Sequence, residues 1–294
     1  MPSEELQNLM VLLRANPSWA SFDLETSRAE LDALGSVLPV PEGVATTEAT
    51  LAGRPACWYA APDADDRVLL YLHGGGYVSG SLASHAGLCG RLAVATGGRV
   101  VALDYRLGPE HRFPAAVDDA TAAWRELLAD GVDSGRAAIA GDSAGGGLTM
   151  ATLVALRDAA DHLPAAAMPI SPWTDLANRG ASHQERAGRD PMLAKEHLDE
   201  MAALYLDSAN PLQPLASPID ADLRGLPPTL VIVGSEEVLF DDSTVLVDRL
   251  HEAGVEATLL VGDGAFHVYP AAAGMPEAEA AVAAMADFWS AHTA

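Results

Sequence analysis

The sequence holds only two cysteines, Cys57 and Cys89, in 294 residues, so it offers neither a disulfide framework nor a cysteine-built metal site. It holds one lysine, Lys195, and every other strongly basic side chain is an arginine. Lysine and arginine together number 17 against 41 aspartates and glutamates, a formal net charge of −24. That imbalance argues against nucleic acid or an anionic membrane surface as a partner, because both would be repelled. Long apolar runs are missing too, and nothing approaches the roughly 18 residues a membrane-spanning helix requires. The opening MPSEELQNLM lacks a basic stretch followed by an apolar one. No secretory signal is expected from it, and a reduced, cytoplasmic protein is the expectation. Aromatic residues are sparse at 5%.

What is present is a chain 49% hydrophobic and rich in small aliphatic residues, long enough for one large α/β domain over 1–294. From about residue 44 onward, apolar runs at 67–73, 99–105, 137–142, 165–171, 229–234 and 255–261 alternate with helical patterns. These helices are expected near 84–96, 114–130, 145–159, 242–253 and 276–292. Near-continuous apolar strands imply burial on both faces, as in a parallel sheet between helical layers. Residues 43–52 and 56–61 read as a leading antiparallel hairpin at the sheet edge. Two segments fall outside the alternation, about 1–40 and about 176–217. Within the second, Asp190 could cap a helix with Pro191 at its first position, and Met192, Leu198, Met201 and Tyr205 then share a stripe. One reading is a surface helix packed on the core. The other is a cap, built with the N-terminal helices, over a site at the strand ends.

The chemistry concentrates in Gly141-Asp142-Ser143-Ala144-Gly145, directly after one strand and directly before a helix. A strand-to-helix turn this tight strains the backbone at the serine, and flanking glycines remove side-chain clashes. The turn aims the hydroxyl out of the sheet, with a helix N-terminus beneath it. A glycine-rich packing turn is the alternative. The second motif is His73-Gly74-Gly75-Gly76-Tyr77, whose glycines expose backbone N–H groups able to face an oxyanion. A nucleotide loop is disfavoured, since Gly80-Ser81 carries no lysine and no G-x-G-x-x-G opens a helix. His73 itself reads as structural.

A serine hydroxyl is a poor nucleophile without a base. Of the six histidines after Ser143, only His267 lies in a loop just past a strand, beside Phe266, Val268 and Tyr269. The base needs a carboxylate to hold its tautomer. Four acids follow the strand at 229–234: Glu236 and Glu237 nearer its end, and Asp241 and Asp242 where they could cap the next helix. Glu237 is the choice, and the order Ser143, Glu237, His267 suits an α/β-hydrolase fold.

Together these motifs resemble the hormone-sensitive-lipase-like family of α/β-hydrolase esterases. The resemblance is carried by His73–Tyr77 with Gly80-Ser81, Asp104–His111, Phe113-Pro114-Ala115-Ala116, Gly141–Gly146, Ser171-Pro172-Trp173 and His267. It implies a mostly parallel eight-stranded sheet flanked by helices, with a helical cap. It also assigns the oxyanion donors to the N–H groups of Gly75, Gly76 and Ala144, and suggests that Glu110 orders loops. The family's acid motif resembles Asp-Pro-Leu-x-Asp, and here the same register reads Glu237-Val238-Leu239-Phe240-Asp241. The implied activity is hydrolysis of short- to medium-chain acyl esters through an acyl-enzyme, with a small-molecule ester as the partner and no metal or cofactor. A lactone, amide or carbamate hydrolase would use the same machinery. A ligand-binding protein on this scaffold would be expected to lack His267. A homodimer through an edge strand is left open.

Overall fold

The structure is a computed structural model describing residues 1–15 and 23–293. Eight strands form one sheet in the order β1-β2-β4-β3-β5-β6-β7-β8. They are β1 (Ala45–Leu51), β2 (Arg54–Ala60), β3 (Val68–Leu72), β4 (Arg99–Leu103), β5 (Ala137–Asp142), β6 (Ala166–Ile170), β7 (Thr229–Gly234) and β8 (Ala257–Gly262). β1 and β2 run antiparallel as a hairpin, β2 meets β4 antiparallel, and the remaining pairs are parallel. Every residue of β3, β5, β6 and β7 is buried, as strands covered on both faces require. The edges differ: β1 is mostly exposed and β8 only partly covered.

The helices α1 (Glu4–Ala15), α2 (Leu24–Val37), α3 (Leu82–Thr96), α4 (Ala115–Ala129), α5 (Ala144–Asp158), α6 (Ser182–Glu185), α7 (Lys195–Leu206), α8 (Phe240–Glu252) and α9 (Pro276–His292) complete the chain. Alternate strand residues feed two cores. Val68, Leu70 and Leu72 join Trp124 of α4, Leu148 of α5 and Leu246 of α8 on one face. Leu69 and Tyr71 join Leu92 of α3, Trp289 of α9 and Leu6 of α1 on the other. Because β3 has β4 on one side and β5 on the other, the connections leaving β3 and β5 diverge at their C-terminal ends. Such a switch point opens a crevice there.

Over that end lies the long connection from β6 to β7, with α7 in it. Leu198, Met201 and Tyr205 of α7 enter the core cluster beneath them, and the Tyr205 ring stacks on Tyr77 at 4.2 Å. The helix starts later than the sequence suggests, at Lys195. Pro191 is outside it, and Asp190 instead accepts the Met192 and Leu193 amides with one oxygen and the Val238 amide with the other. The carboxylate therefore ties this connection to the turn after β7, a long-range partner that helix-capping patterns cannot reveal. At the other end of the chain, α1 sets Leu6 and Met10 among Phe266 and Tyr269. Arg28 of α2 donates to the Val78 and Gly108 carbonyls and forks onto both oxygens of Glu110. The portion of the expected N-terminal cap at 16–22 lies outside the described residues. No helix of the described residues is long and apolar enough to cross a membrane.

Candidate active site

Ser143 stands between β5 and α5 at φ 55°, ψ −120°, a conformation that typically costs a non-glycine residue about 1–3 kcal/mol. The surroundings hold it there: its amide donates to Ile170 O (2.8 Å), and its carbonyl accepts from Trp173 N (2.9 Å) and Gly147 N (3.0 Å). The flanking glycines serve close approach. A Cβ on Gly145 would lie 2.0 Å from Leu72 O, and one on Gly141 would lie 2.4 Å from the same atom. The turn can therefore sit directly against the end of β3 only if both positions lack a side chain.

After β7, Glu237 is wholly buried and accepts from Ser171 Oγ (2.7 Å) and the Gly234 amide through one oxygen. Its other oxygen lies 2.8 Å from His267 Nδ1. The His267 loop leaves β8 and folds back over the end of β7, where Ala265 O and Phe266 O crowd Gly234. It reaches as far as β6, since Val268 N donates to Ser171 Oγ (3.0 Å). Ser171 thus fastens the acid, the histidine loop and the strand next to the serine turn. A carboxylate only accepts, so Nδ1 carries the proton toward Glu237 and Nε2 is left with a free lone pair. No direct hydrogen bond joins Ser143 Oγ to His267 in this structure; such bonds often tighten only when substrate binds. Burial opposes charge on His267, yet the bond and charge of Glu237, with Asp190 and Asp142 beyond it, raise its pKa. Burial raises that of Glu237, against the opposing pull of His267.

The glycine loop after β3 places Gly75 at φ 113° and Gly76 at φ 64°, which only glycine adopts readily. Gly75 O accepts from the Val78 and Ser79 amides, while the amides of Gly75 and Gly76 have no protein acceptor among the described residues. Ala144 is the first residue of α5, so its amide also lacks an intrahelical acceptor. Met201 of α7 covers the loop: a Cβ on Gly76 would fall 2.1 Å from its Sδ. His73 is buried, stacks on Tyr105 at 4.3 Å and turns Nδ1 to Gly74 O (2.8 Å). It has no contact with His267, in keeping with a structural part.

Asp241 and Asp242 lie inside the first turn of α8 and do not cap it, as the sequence suggested they could. Asp241 accepts from Ser182 N and Asp242 from Thr174 N and Asp175 N, so both bind the β6–β7 connection. Burial lifts Asp242 to about 7. Glu236, the other acid near the strand end, points outward to Arg189 (2.6 Å) and Arg14 (3.1 Å). Three contributors escaped the sequence reading: Ser171, Asp190 and the pair His85–Asp142. Their partners lie 48 to 97 residues away. The one usable signal was position, because Asp142 and Ser171 each end or follow a strand beside the serine turn.

Comparison with known proteins agrees with the fold. A family model described as the alpha/beta hydrolase fold matches residues 69–271. An acetyl-hydrolase of Streptomyces hygroscopicus is 46% identical over 273 residues, covering 92% of this chain and 90% of its own. An ethyl acetate hydrolase of Pseudomonas putida is 38% identical over 226 residues, covering 72% of this chain and 70% of its own. Among solved structures, an esterase from the bacterial hormone-sensitive lipase family is 44% identical, covers 100% of both chains and superposes with a TM-score of 0.95.

Proposed function

Because the chain belongs to the hormone-sensitive-lipase-like esterases of the α/β-hydrolase fold, and so is a carboxylic-ester hydrolase, we propose that Ser143, Glu237 and His267 carry its reaction. The observation that supports this most is the buried 2.8 Å contact of Glu237 with His267 Nδ1, on loops that meet beside a strained serine. In the proposed sequence Ser143 Oγ attacks the ester carbonyl while His267 Nε2 takes its proton. The Gly75, Gly76 and Ala144 amides, without other acceptors, receive the developing oxyanion. His267 then gives the proton to the leaving alcohol, and an acyl-serine remains. Water, deprotonated by the same nitrogen, attacks the acyl carbon; serine regains the proton as the carboxylic acid departs.

Short- to medium-chain acyl groups are the proposed substrates, in line with relatives named for acetyl and ethyl acetate hydrolysis. The cap is proposed to be residues 1–40 with 176–217. Met201 resting on Gly76 supports that reading, since it puts α7 directly above the oxyanion amides. Changing Ser143 to Ala tests the core of the proposal: turnover of p-nitrophenyl butyrate should fall by about 10⁴-fold or more while the fold persists. Near-normal turnover would refute the nucleophile. A series of p-nitrophenyl esters should show rates falling as the acyl chain grows long.

A further inference from the structure

Behind the proposed nucleophile lies a second buried histidine–carboxylate pair that the proposed mechanism does not use. Asp142, the residue before Ser143, is 3% exposed and accepts from Tyr71 Oη (2.7 Å) and the Gly74 amide (3.1 Å). His85 of α3, 8% exposed, brings Nε2 to 3.2 Å from the same carboxylate. One carboxylate therefore touches the serine turn, the first glycine of the oxyanion loop and a histidine from a third element.

Proton counting sets the state of the ring. His85 Nδ1 faces Ser84 Oγ at 2.8 Å. That hydroxyl accepts from Ser81 N (2.9 Å) and donates its single hydrogen to Ser81 O (2.9 Å) in the capping box of α3. The Gly74 amide also approaches Nε2 (3.3 Å) but lies nearer Asp142 (3.1 Å). A nitrogen 3.2 Å from a carboxylate that can only accept needs a hydrogen between the two, so Nε2 donates, and with the Ser84 hydrogen on Ser81 O, Nδ1 donates as well. A ring donating from both nitrogens is an imidazolium. The groups facing it agree with one positive charge against one negative. Tyr71 and His73 approach from β3 and its loop, Asp142 from β5, and Ser84 from its own helix. Burial, and then the charge of His85, push His73 down to about 4, leaving that neighbour neutral. Asp142 is held below its ordinary value despite burial, first by His85.

We propose that His85 is a positioning residue for ester hydrolysis: as an imidazolium it fixes the Asp142 carboxylate, which clamps Gly74 and the Ser143 turn at one separation. The amides of Gly75 and Gly76 are thereby aimed at the same point as the serine oxygen. The inference rests on the reading of Ser143 and those amides given above.

His85→Gln tests it, because glutamine can still donate to Asp142 but cannot carry the charge. Expected is a fall in kcat of about tenfold or more for p-nitrophenyl acetate, with KM within about twofold. The inhibition constant of a trifluoromethyl ketone, whose adduct needs the same amides, should rise in proportion to the loss of kcat. A merely structural role would lower Tm and leave that constant in place. In the wild-type protein, ¹⁵N spectra at pH 7 should show both His85 ring nitrogens protonated, a reading that decides the matter even if the variant fails to fold. A ring with one bare nitrogen overturns the proposal, as does a folded His85→Gln protein with wild-type kcat and inhibition. Unchanged kinetics in His85→Gln beside a dead Ser143→Ala protein overturns this proposal alone. Turnover retained by Ser143→Ala overturns the site reading beneath it.

Discussion

Two buried histidine–carboxylate pairs flank Ser143, and they are wired in opposite senses. His267 gives Nδ1 to Glu237, and its Nε2 has no protein partner among the described residues. His85 gives Nε2 to Asp142 and has its Nδ1 engaged by Ser84. Both imidazoles are buried, and in both the partner carboxylate raises the pKa against desolvation. Similar charge and burial thus yield one ring with a nitrogen to spare, which can pass protons, and one with none, which can only hold. Chemistry follows from which nitrogen is free, and the pKa shift alone would not separate the two.

The largest effect that would break this comparison concerns the acids. Glu237→Gln should lower kcat by about 10³–10⁴-fold, because an amide presents the wrong partner to Nδ1, by analogy with the aspartate of serine proteases. Its Tm should change little. Asp142→Asn should do the reverse in proportion: unfolding free energy falls by about 3–5 kcal/mol, since His85 loses the partner of a buried ion pair. Urea denaturation beside kinetics on both variants checks this. Equal kinetic losses with equal stability would erase the distinction.

A smaller effect separates the pairs by pH. In the proposed mechanism neutral His267 is the base, so kcat/KM should rise with pH along a limb centred above the ordinary imidazole value of about 6.5, because the folded pKa is raised. Glu237→Gln should move that limb downward. Stability runs the other way. An imidazole that binds its proton more tightly when folded stabilises the fold below its unfolded pKa, and this contribution is lost as pH rises through the folded value. Both His85 and His267 act in that sense. Over the alkaline side of that window Tm should fall, while activity climbs as His267 loses its proton and turns down where His85 loses its own; His85→Gln should flatten the Tm curve and remove that downturn without moving the rising limb.

The legible parts of the molecule were those with short-range patterns. All six apolar runs became strands within two residues of the expected ends, and the turn at Ser143 was readable because strand, glycines and helix adjoin in the chain. Place at the strand end narrowed four acids to Glu236 and Glu237, and Glu237, the one chosen, is the one facing His267. Asp190, Asp241 and Asp242 misled because acids near a helix start suggest caps. The amide partners of Asp241 and Asp242, Ser182 and Thr174 among them, come from other elements instead, and Asp190 adds the distant Val238 amide to the local ones of Met192 and Leu193, which lie ahead of α7. His85 escaped for a related reason: nothing within α3 announces Asp142, which follows 57 residues later.

The smallest effect concerns Glu236, whose neighbour in the chain is Glu237. Arg14 of α1 and Arg189 both pair with it, at 46% and 52% side-chain exposure. Exposed pairs of this kind contribute about 1 kcal/mol or less and are screened by salt. Glu237 itself is held from within, by Ser171, the Gly234 amide and His267. If those buried bonds set its position, Arg14→Ala should lower kcat/KM by no more than about threefold, a difference that shrinks at 1 M salt. A loss approaching that of Glu237→Gln would mean that α1, reaching over the rim to Glu236, holds the acid in place. The inner and outer supports of one loop would then have to change places in the account of how Glu237 keeps its hold on His267 Nδ1.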